Sequence, residues 1–312
     1  METAPCPISN STEFTPCIQV PDRFDASGAV IWNIVRSSAS GLIMLNPRPD
    51  SSEISLHYQN RQYDPFVHTR TRYSFQDRTY LAARSLLLHY RANIILKNLT
   101  KPLQKSTFLE IGCSTGDLLN HLHRKSGIPI HNLTGVEPDT QSAEYARNIF
   151  GLNIFPSLAD DPIRRNKFDR IILWHTLEHI HAINETLHSA SKQLEPDGVL
   201  VIALPNPQSS DAYHYRENWV AFDAPRHLYH FIPDTLEKLL ESHRLRVFKQ
   251  QPYLPDTVYN TFHSEALLRK RQHRSFDFLR IAKVIMRASA YAVKGYVFPA
   301  TASSLIYFAR RV

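Results

Sequence analysis

The chain has 312 residues, of which 43% are hydrophobic and 21% charged, a balance that excludes a disordered or fibrous protein and provides for a sizeable core. No basic start followed by an apolar run marks a secretory signal in the first thirty residues. Cys6, Cys17 and Cys113 are too few for a disulfide framework, so the expectation is a cytoplasmic protein in which the N-x-S/T sequons at Asn10, Asn98, Asn132 and Asn184 carry no meaning.

Residues 1 to 58 are rich in Pro, Ser and Asn and show no clear period. Gln76 to Asn98 places apolar residues at helical spacing and leads into the next unit, with Pro102 ending it. From Thr107 the pattern alternates. "TFLEIG", "LTGVEPD", "FDRIILWHT" and "GVLVIALPN" read as four short apolar strands. Between them "GDLLNHLHRK", "TQSAEYARNIF" (with Thr140 as its N-cap) and "EHIHAINETLHSASKQL" read as helices. Strands alternating with helices at this spacing predict an α/β fold, a Rossmann-like parallel sheet with helices on both faces. An aromatic loop, the segment "DAPRHLYHF", a helix "PDTLEKLLESHRL" and a strand "RVFKQQPYL" follow. The expected organisation is an irregular N-terminal arm (1–58), a helical lead-in (59–105), the α/β domain (106–260) and a basic helical extension (261–312).

Residues 110–116 spell two motifs. Gly112-Cys113-Ser114-Thr115-Gly116 matches G-x-S-x-G, the hydrolase elbow with Ser114 as nucleophile. With Glu110 the same residues spell E-x-G-x-x-x-G. The elbow needs earlier strands and an oxyanion loop, and neither precedes Thr107. In a parallel α/β sheet ligands bind where strands end. There Glu137 offers one carboxylate to both hydroxyls of a ribose, Gly112 and Gly116 allow a tight turn, and the following helix N-terminus favours a carboxylate. S-adenosylmethionine has all the complementary parts. A dinucleotide fits less well, since G-x-G-x-x-G is absent.

In order, "LEIGCSTGDLL", "LTGVEPD", "FDRIILWHTLEHI", "LEPDGVLVIALPN" and "DAPRHLYHF" resemble the motifs of class I S-adenosylmethionine-dependent methyltransferases, and more narrowly the branch with sugar C-methyltransferases and polysaccharide-pathway relatives. The resemblance spans about Arg36 to Leu254. It implies that Glu110, Gly112, Ser114 and Gly116 surround the methionine part of the cofactor and that Glu137, with Pro138 alongside, binds the ribose. It implies Leu158 near the adenine, and Trp174 and His175 closing the pocket. His227, with Phe231, matches the segment that supplies a catalytic base. Asp223 is expected to orient His227, and Arg226 to meet a phosphate or carboxylate of the substrate. Tyr213, Tyr215 and Trp219 either stack on a sugar ring or fill the loop's own core. Relatives often carry an N-terminal zinc ribbon. Here Cys6-x-x-Ser9 and Ser37-x-x-Ser40 stand in its place, a remnant without metal, since hydroxyls are poor zinc ligands.

His175 to His179 also matches H-x-x-E-H, a zinc signature that needs both histidines on one helix. His175 closes a strand, so no metal is expected. Missing signatures for DNA amino and cytosine methylation point to a small-molecule acceptor, a nucleotide- or lipid-linked sugar, and no nucleic acid. The rival from another class is a non-catalytic protein that keeps the cofactor fold as a binding scaffold.

The charge of +7 is uneven: residues 269–312 carry +9 and the remainder −2. Arg280, Lys283, Arg287 and Lys294 share one helical face, with Phe276, Leu279, Val284, Ile285 and Met286 elsewhere. Either this is an interfacial helix on an anionic membrane surface, peripheral to its inner face, or a solvated basic face over the protein's own core.

Overall fold

The structure is a computed structural model describing residues 1–25, 29–58, 75–161, 163–275 and 277–312; Phe276 and much of the expected lead-in lie outside the described residues. Its regular elements begin with β1 (Phe14–Pro21), β2 (Ile31–Ser37), β3 (Ile43–Leu45) and α1 (Phe75–Leu96). Then come β4 (Phe108–Ile111), α2 (Asp117–Ser126), β5 (Leu133–Val136), α3 (Thr140–Phe150), β6 (Asn153–Phe155) and β7 (Phe168–Trp174). They continue with α4 (Ile183–Gln193), β8 (Leu194–Pro205), α5 (Ser210–Tyr215), β9 (Tyr229–His230) and α6 (Pro233–Ser242). The rest are β10 (Leu245–Pro252), α7 (Leu254–Arg271), α8 (Phe278–Val297) and β11 (Ser304–Arg311). One sheet has the order β1-β2-β3-β9; the other, mostly parallel, has the Rossmann-like order β10-β11-β8-β7-β4-β5-β6. The chain divides into two compact units, one of Met1–Asn60, His175–Asn184 and Ala203–Tyr307, the other of Arg61–Trp174, Glu185–Ile202 and Phe308–Val312.

In the second of these units every residue of β4, β5 and β7 is buried, as a parallel sheet covered on both faces requires. Parallel pairing sets Ile111 opposite both Val136 and Leu173, so three strands end level. The residues that follow them, Gly112, Glu137 and Trp174, stand at one carboxyl edge. Leu118, Leu119 and Leu122 of α2 are buried against the sheet side. Arg170 is a charge inside an otherwise apolar strand. Its guanidinium donates to the carbonyls of Ile95 (3.1 Å), Lys97 (3.2 Å) and Asn98 (2.9 Å), closing the end of α1. The cap of α3 is Asp139, not Thr140: its backbone is extended and its carboxylate, one residue before the first helical residue, accepts from Ser142 N at 2.8 Å.

In the first unit the N-terminal residues pair as an antiparallel sheet from Phe14↔Ser37 to Pro21↔Ile31, with β9 added through Ile43↔His230. The helix expected from Glu178 begins instead at Ile183. His175 takes φ 51°, Leu177–His179 forms a single 3-10 turn, and the Glu178 carbonyl accepts from Leu228 N at 2.8 Å. A long-range backbone bond thus competes with the helix. The helical C-terminal extension is present as α7 and α8. It also supplies β11, whose "SLIYFA" is buried throughout; aromatic and β-branched residues suit a strand there.

Candidate functional site

The loop from β4 to α2 has three residues at positive φ: Gly112 (73°), Ser114 (49°) and Gly116 (76°). Gly112 N and Cys113 N donate to Val136 O at 2.8 and 3.1 Å, tying the loop to the end of β5. Glu137 completes the tie. Its Oε2 accepts from Ser114 N at 2.8 Å and its Oε1 from Asp139 N at 2.9 Å, so the carboxylate is fixed in orientation while each oxygen keeps accepting capacity. A Cβ on Gly116 would meet Leu152 Cδ1 at 2.6 Å and Ala146 Cβ at 3.0 Å, so both conformation and space call for glycine. Among the described residues no histidine is hydrogen-bonded to the Ser114 hydroxyl, and a nucleophilic serine needs such a base within reach. The turn is held by backbone and carboxylate hydrogen bonds. Pro138 is exposed beside Glu137, while Leu158 and Trp174 are buried in the same unit, Trp174 with the Arg91 guanidinium 5.0 Å over its ring.

Glu110 closes β4 from inside. Its Oε2 has no hydrogen-bond partner among the described residues. Burial pushes its pKa up to about 8, with Arg91 opposing and Asp117 and Glu137 adding. Since its ordinary value is 4.5, the folded chain holds a proton that the unfolded chain loses. The associated stability is fully present below pH 4.5 and is lost as pH rises through 8. Glu110→Gln, which mimics the protonated acid, is expected to be more stable than the parent at pH 9 by on the order of 2–4 kcal/mol, the gap closing towards pH 5. Denaturant titrations at the two pH values check this; an equal midpoint shift at both would contradict a buried ionising Glu110.

The first unit gathers the histidines. His175 Nε2 lies 2.7 Å from Asp256 Oδ2 and its Nδ1 3.5 Å from Glu178 Oε1. Burial lowers its pKa, but the two carboxylates outweigh that and raise it to about 9. His227 is buried, its Nδ1 2.8 Å from Ala221 O and its ring edge-on to His179 with centroids 4.6 Å apart. Burial, then His179, His230 and Arg23, hold its pKa well below 6.5, so the imidazole is neutral. Nδ1–H donates to the carbonyl, which leaves the Nε2 lone pair open.

Three of the expected residues have their polar groups engaged within the protein. Asp223 does not orient His227: its Oδ1 takes Arg226 Nε at 2.8 Å and Arg23 Nε at 2.7 Å, and His227 Nε2 is 4.0 Å from Oδ2. The Ala221 carbonyl does the orienting. Arg226 is 1% exposed, bound also to Asp22 Oδ1 at 2.8 Å and stacked 4.5 Å over Phe24; its charge is committed inside the protein, since a buried guanidinium needs its partners. Trp219 fills the loop's own core, donating to Asp211 Oδ2 at 2.7 Å and meeting Phe222 edge-on. Tyr213, in contrast, is 80% exposed. Asp22, Arg23 and Ala221 escaped sequence reading because their partners lie distant in the chain or act through backbone; only the Asp223–Arg226 spacing of three was visible locally.

Two ligand sets bear on metals. His175 and His179 do not share a helix, but Glu178, His179 and His227 bring ligand atoms within 4.8 Å of one another. His179 Nδ1 is 2.9 Å from Arg226 O and 2.8 Å from the Tyr58 hydroxyl. At the N-terminal turns Cys6 Sγ lies 3.1 Å from Ser40 Oγ, and Ser37 Oγ accepts from Ser40 N at 3.4 Å, so Cys6, Ser37 and Ser40 converge.

No curated protein matches the chain in sequence. Among solved structures it is similar to magnesium protoporphyrin IX methyltransferase from Synechocystis PCC 6803 with bound SAH, at 11% identity and a TM-score of 0.51, covering 84% of this chain and 100% of that one. It is also similar to geranyl diphosphate C-methyltransferase from Streptomyces coelicolor A3(2), in complex with Mg2+, geranyl diphosphate and S-adenosyl-L-homocysteine, at 15% identity, TM-score 0.49 and coverage of 80% and 88%. A likeness of 0.51 at 11% identity speaks for a shared fold and not for a shared substrate. The family described as "Methyltransferase domain" matches residues 80–250, more than half of the chain, from within α1 to within β10, a stretch that carries the turn, Glu137 and His227. The chain belongs to this methyltransferase-domain family.

Proposed function

We propose that the protein transfers the methyl group of S-adenosylmethionine to a small hydroxylated acceptor, a nucleotide- or lipid-linked sugar. The observation that carries the reading is Glu137: a carboxylate at the end of β5, locked by the Ser114 and Asp139 amides and able to accept two more hydrogen bonds. The residues present fit the cofactor. Glu137 would hold the ribose hydroxyls, and the first turn of α2 after Gly116 would receive the carboxylate. Glu110, with a buried oxygen lacking a partner, would face a cationic group. When bound, the cofactor supplies an electrophilic methyl on a sulfonium. The chain's own part is to bind, orient and exclude water.

An oxygen or carbon acceptor must also lose a proton, and His227 is proposed as the base. Its Nε2 is unprotonated across the physiological range because burial keeps the ring neutral, and Ala221 O fixes the tautomer. With nucleotide sugars and lipid-linked sugars as acceptors, S-adenosylhomocysteine release is expected to fall by about 10²–10⁴ in His227→Ala while S-adenosylmethionine affinity stays as in the parent. Binding without turnover on any acceptor would favour the scaffold instead. Asp223 and Arg226 act in this reading as a buried frame under the His227 segment.

A second reading is favoured by Glu178. Apart from His175 Nδ1 at 3.5 Å, neither of its buried oxygens has a hydrogen-bond partner among the described residues. With His179 and His227, both tied through Nδ1 to backbone carbonyls, it has the make-up of a divalent-cation site. Stoichiometric metal in the purified protein, lost in His179→Ala as well as His227→Ala, would replace the base by a ligand. The convergence of Cys6, Ser37 and Ser40 supports the N-terminal residues as a metal-free zinc-ribbon remnant.

A further inference from the structure

Helix α8 turns much of its apolar surface to solvent. α8 buries Val284, Ala288 and Gly295. Its arginines Arg280 and Arg287 turn inward to Glu265 of α7, which is fully buried, and Arg269 joins them at 3.5 Å. The basic face read from sequence is thus half consumed. What remains outside is apolar: Phe278, Leu279, Met286, Val293, Tyr296 and Val297 are each between 57% and 81% exposed. Leu279, Met286 and Val293 recur every seven residues, so the exposed side chains form one stripe along the helix. Lys283 and Lys294 are exposed at the edge of that stripe, and Lys270 and Arg274 are exposed just before the helix. The acid of this region, Asp277, is spent on the cap of α8, where it accepts from Arg280 N at 2.8 Å.

We infer that α8 docks flat on an anionic lipid bilayer, its apolar stripe in the headgroup–acyl boundary and its four exposed cations on the headgroup phosphates. An amphipathic helix with a basic margin has the chemistry of an interfacial anchor. Among the described residues no helix is long and apolar enough to cross a membrane, so the contact is peripheral. A nucleic acid would engage the cations but leaves the stripe in water. This inference is independent of the proposed methyl transfer and stands or falls separately.

The test is flotation of the full chain with vesicles of phosphatidylglycerol and phosphatidylcholine, and with phosphatidylcholine alone. Deleting residues 269–312 is unsuitable, because it removes β11 from its sheet. The parent is expected to float with the anionic vesicles at low salt and less at high salt. Leu279→Glu/Met286→Glu/Val293→Glu should lose about tenfold or more of that binding while melting as the parent does. Lys283→Glu/Lys294→Glu should weaken binding and flatten its salt dependence. A parent that stays in the soluble fraction overturns the inference, as does flotation of both variants equal to that of the parent. Sedimentation of the lipid-free parent as a dimer that the triple variant converts to monomer would overturn it in favour of a second copy of the chain covering the stripe.

Discussion

Replacing Glu137 by alanine is expected to weaken S-adenosylmethionine binding by about a hundredfold, since two hydrogen bonds to a charged acceptor are lost at ~1.5 kcal/mol or more each. Calorimetry reads this directly. The side chain does two jobs, holding the amides of Ser114 and Asp139 on one side and presenting free lone pairs on the other. Glu137→Gln therefore serves as the companion. It keeps one accepting oxygen and is expected to fall between parent and alanine. A melting scan separates collapse of the turn from loss of a ligand contact. Affinity of the alanine variant within about threefold of the parent, with the fold intact, would rule out the ribose contact.

The largest effect on stability is expected at Glu265. Its carboxylate accepts from the Tyr215 hydroxyl at 3.1 Å and from Arg287 Nη1 at 3.1 Å, and it is paired as well with Arg280 and Arg269. Removing it leaves three guanidinium groups, 16–24% exposed, facing one another around the place of a fully buried carboxylate. Breaking a buried ion pair from one side costs about 3–5 kcal/mol, and Glu265→Ala is expected to fall in that range by chemical denaturation. Glu265→Gln should recover little, because an amide cannot balance the charges. A loss below about 1 kcal/mol would mean that solvent reaches the cluster and screens it.

The parts of the molecule that sequence made legible share a physical property: their cause is local. "TFLEI" followed by Gly112, Gly116 and "DLLNHL" reads as a buried strand, a tight turn and an amphipathic helix, and Glu137 announces itself by ending the next strand. Legibility fails where the cause is remote. Nothing near Asp223 tells that Arg23, two hundred positions earlier, takes its charge. The tautomer of His227 is set by a backbone carbonyl, which has no letter. The two faces of α8 were visible as a pattern, but which face turns inward depends on a buried glutamate in the preceding helix. Residues 14–45 lack strong alternation because much of their sheet is solvated, and "SLIYFA" was read with the tail because its partners are far away in the chain.

The order β10-β11-β8 has a consequence for assembly. Residues 304–311 slot between a strand made about a hundred positions earlier and another made some fifty positions earlier, so this part of the sheet closes only by long loops. Contacts between such distant segments form late and slowly. Until then β8 presents an open ladder of amides and carbonyls along one side. A nascent chain halted anywhere between residues 206 and 303 would therefore carry a sticky strand with its proper neighbour still unmade, and would be the form most in need of a chaperone.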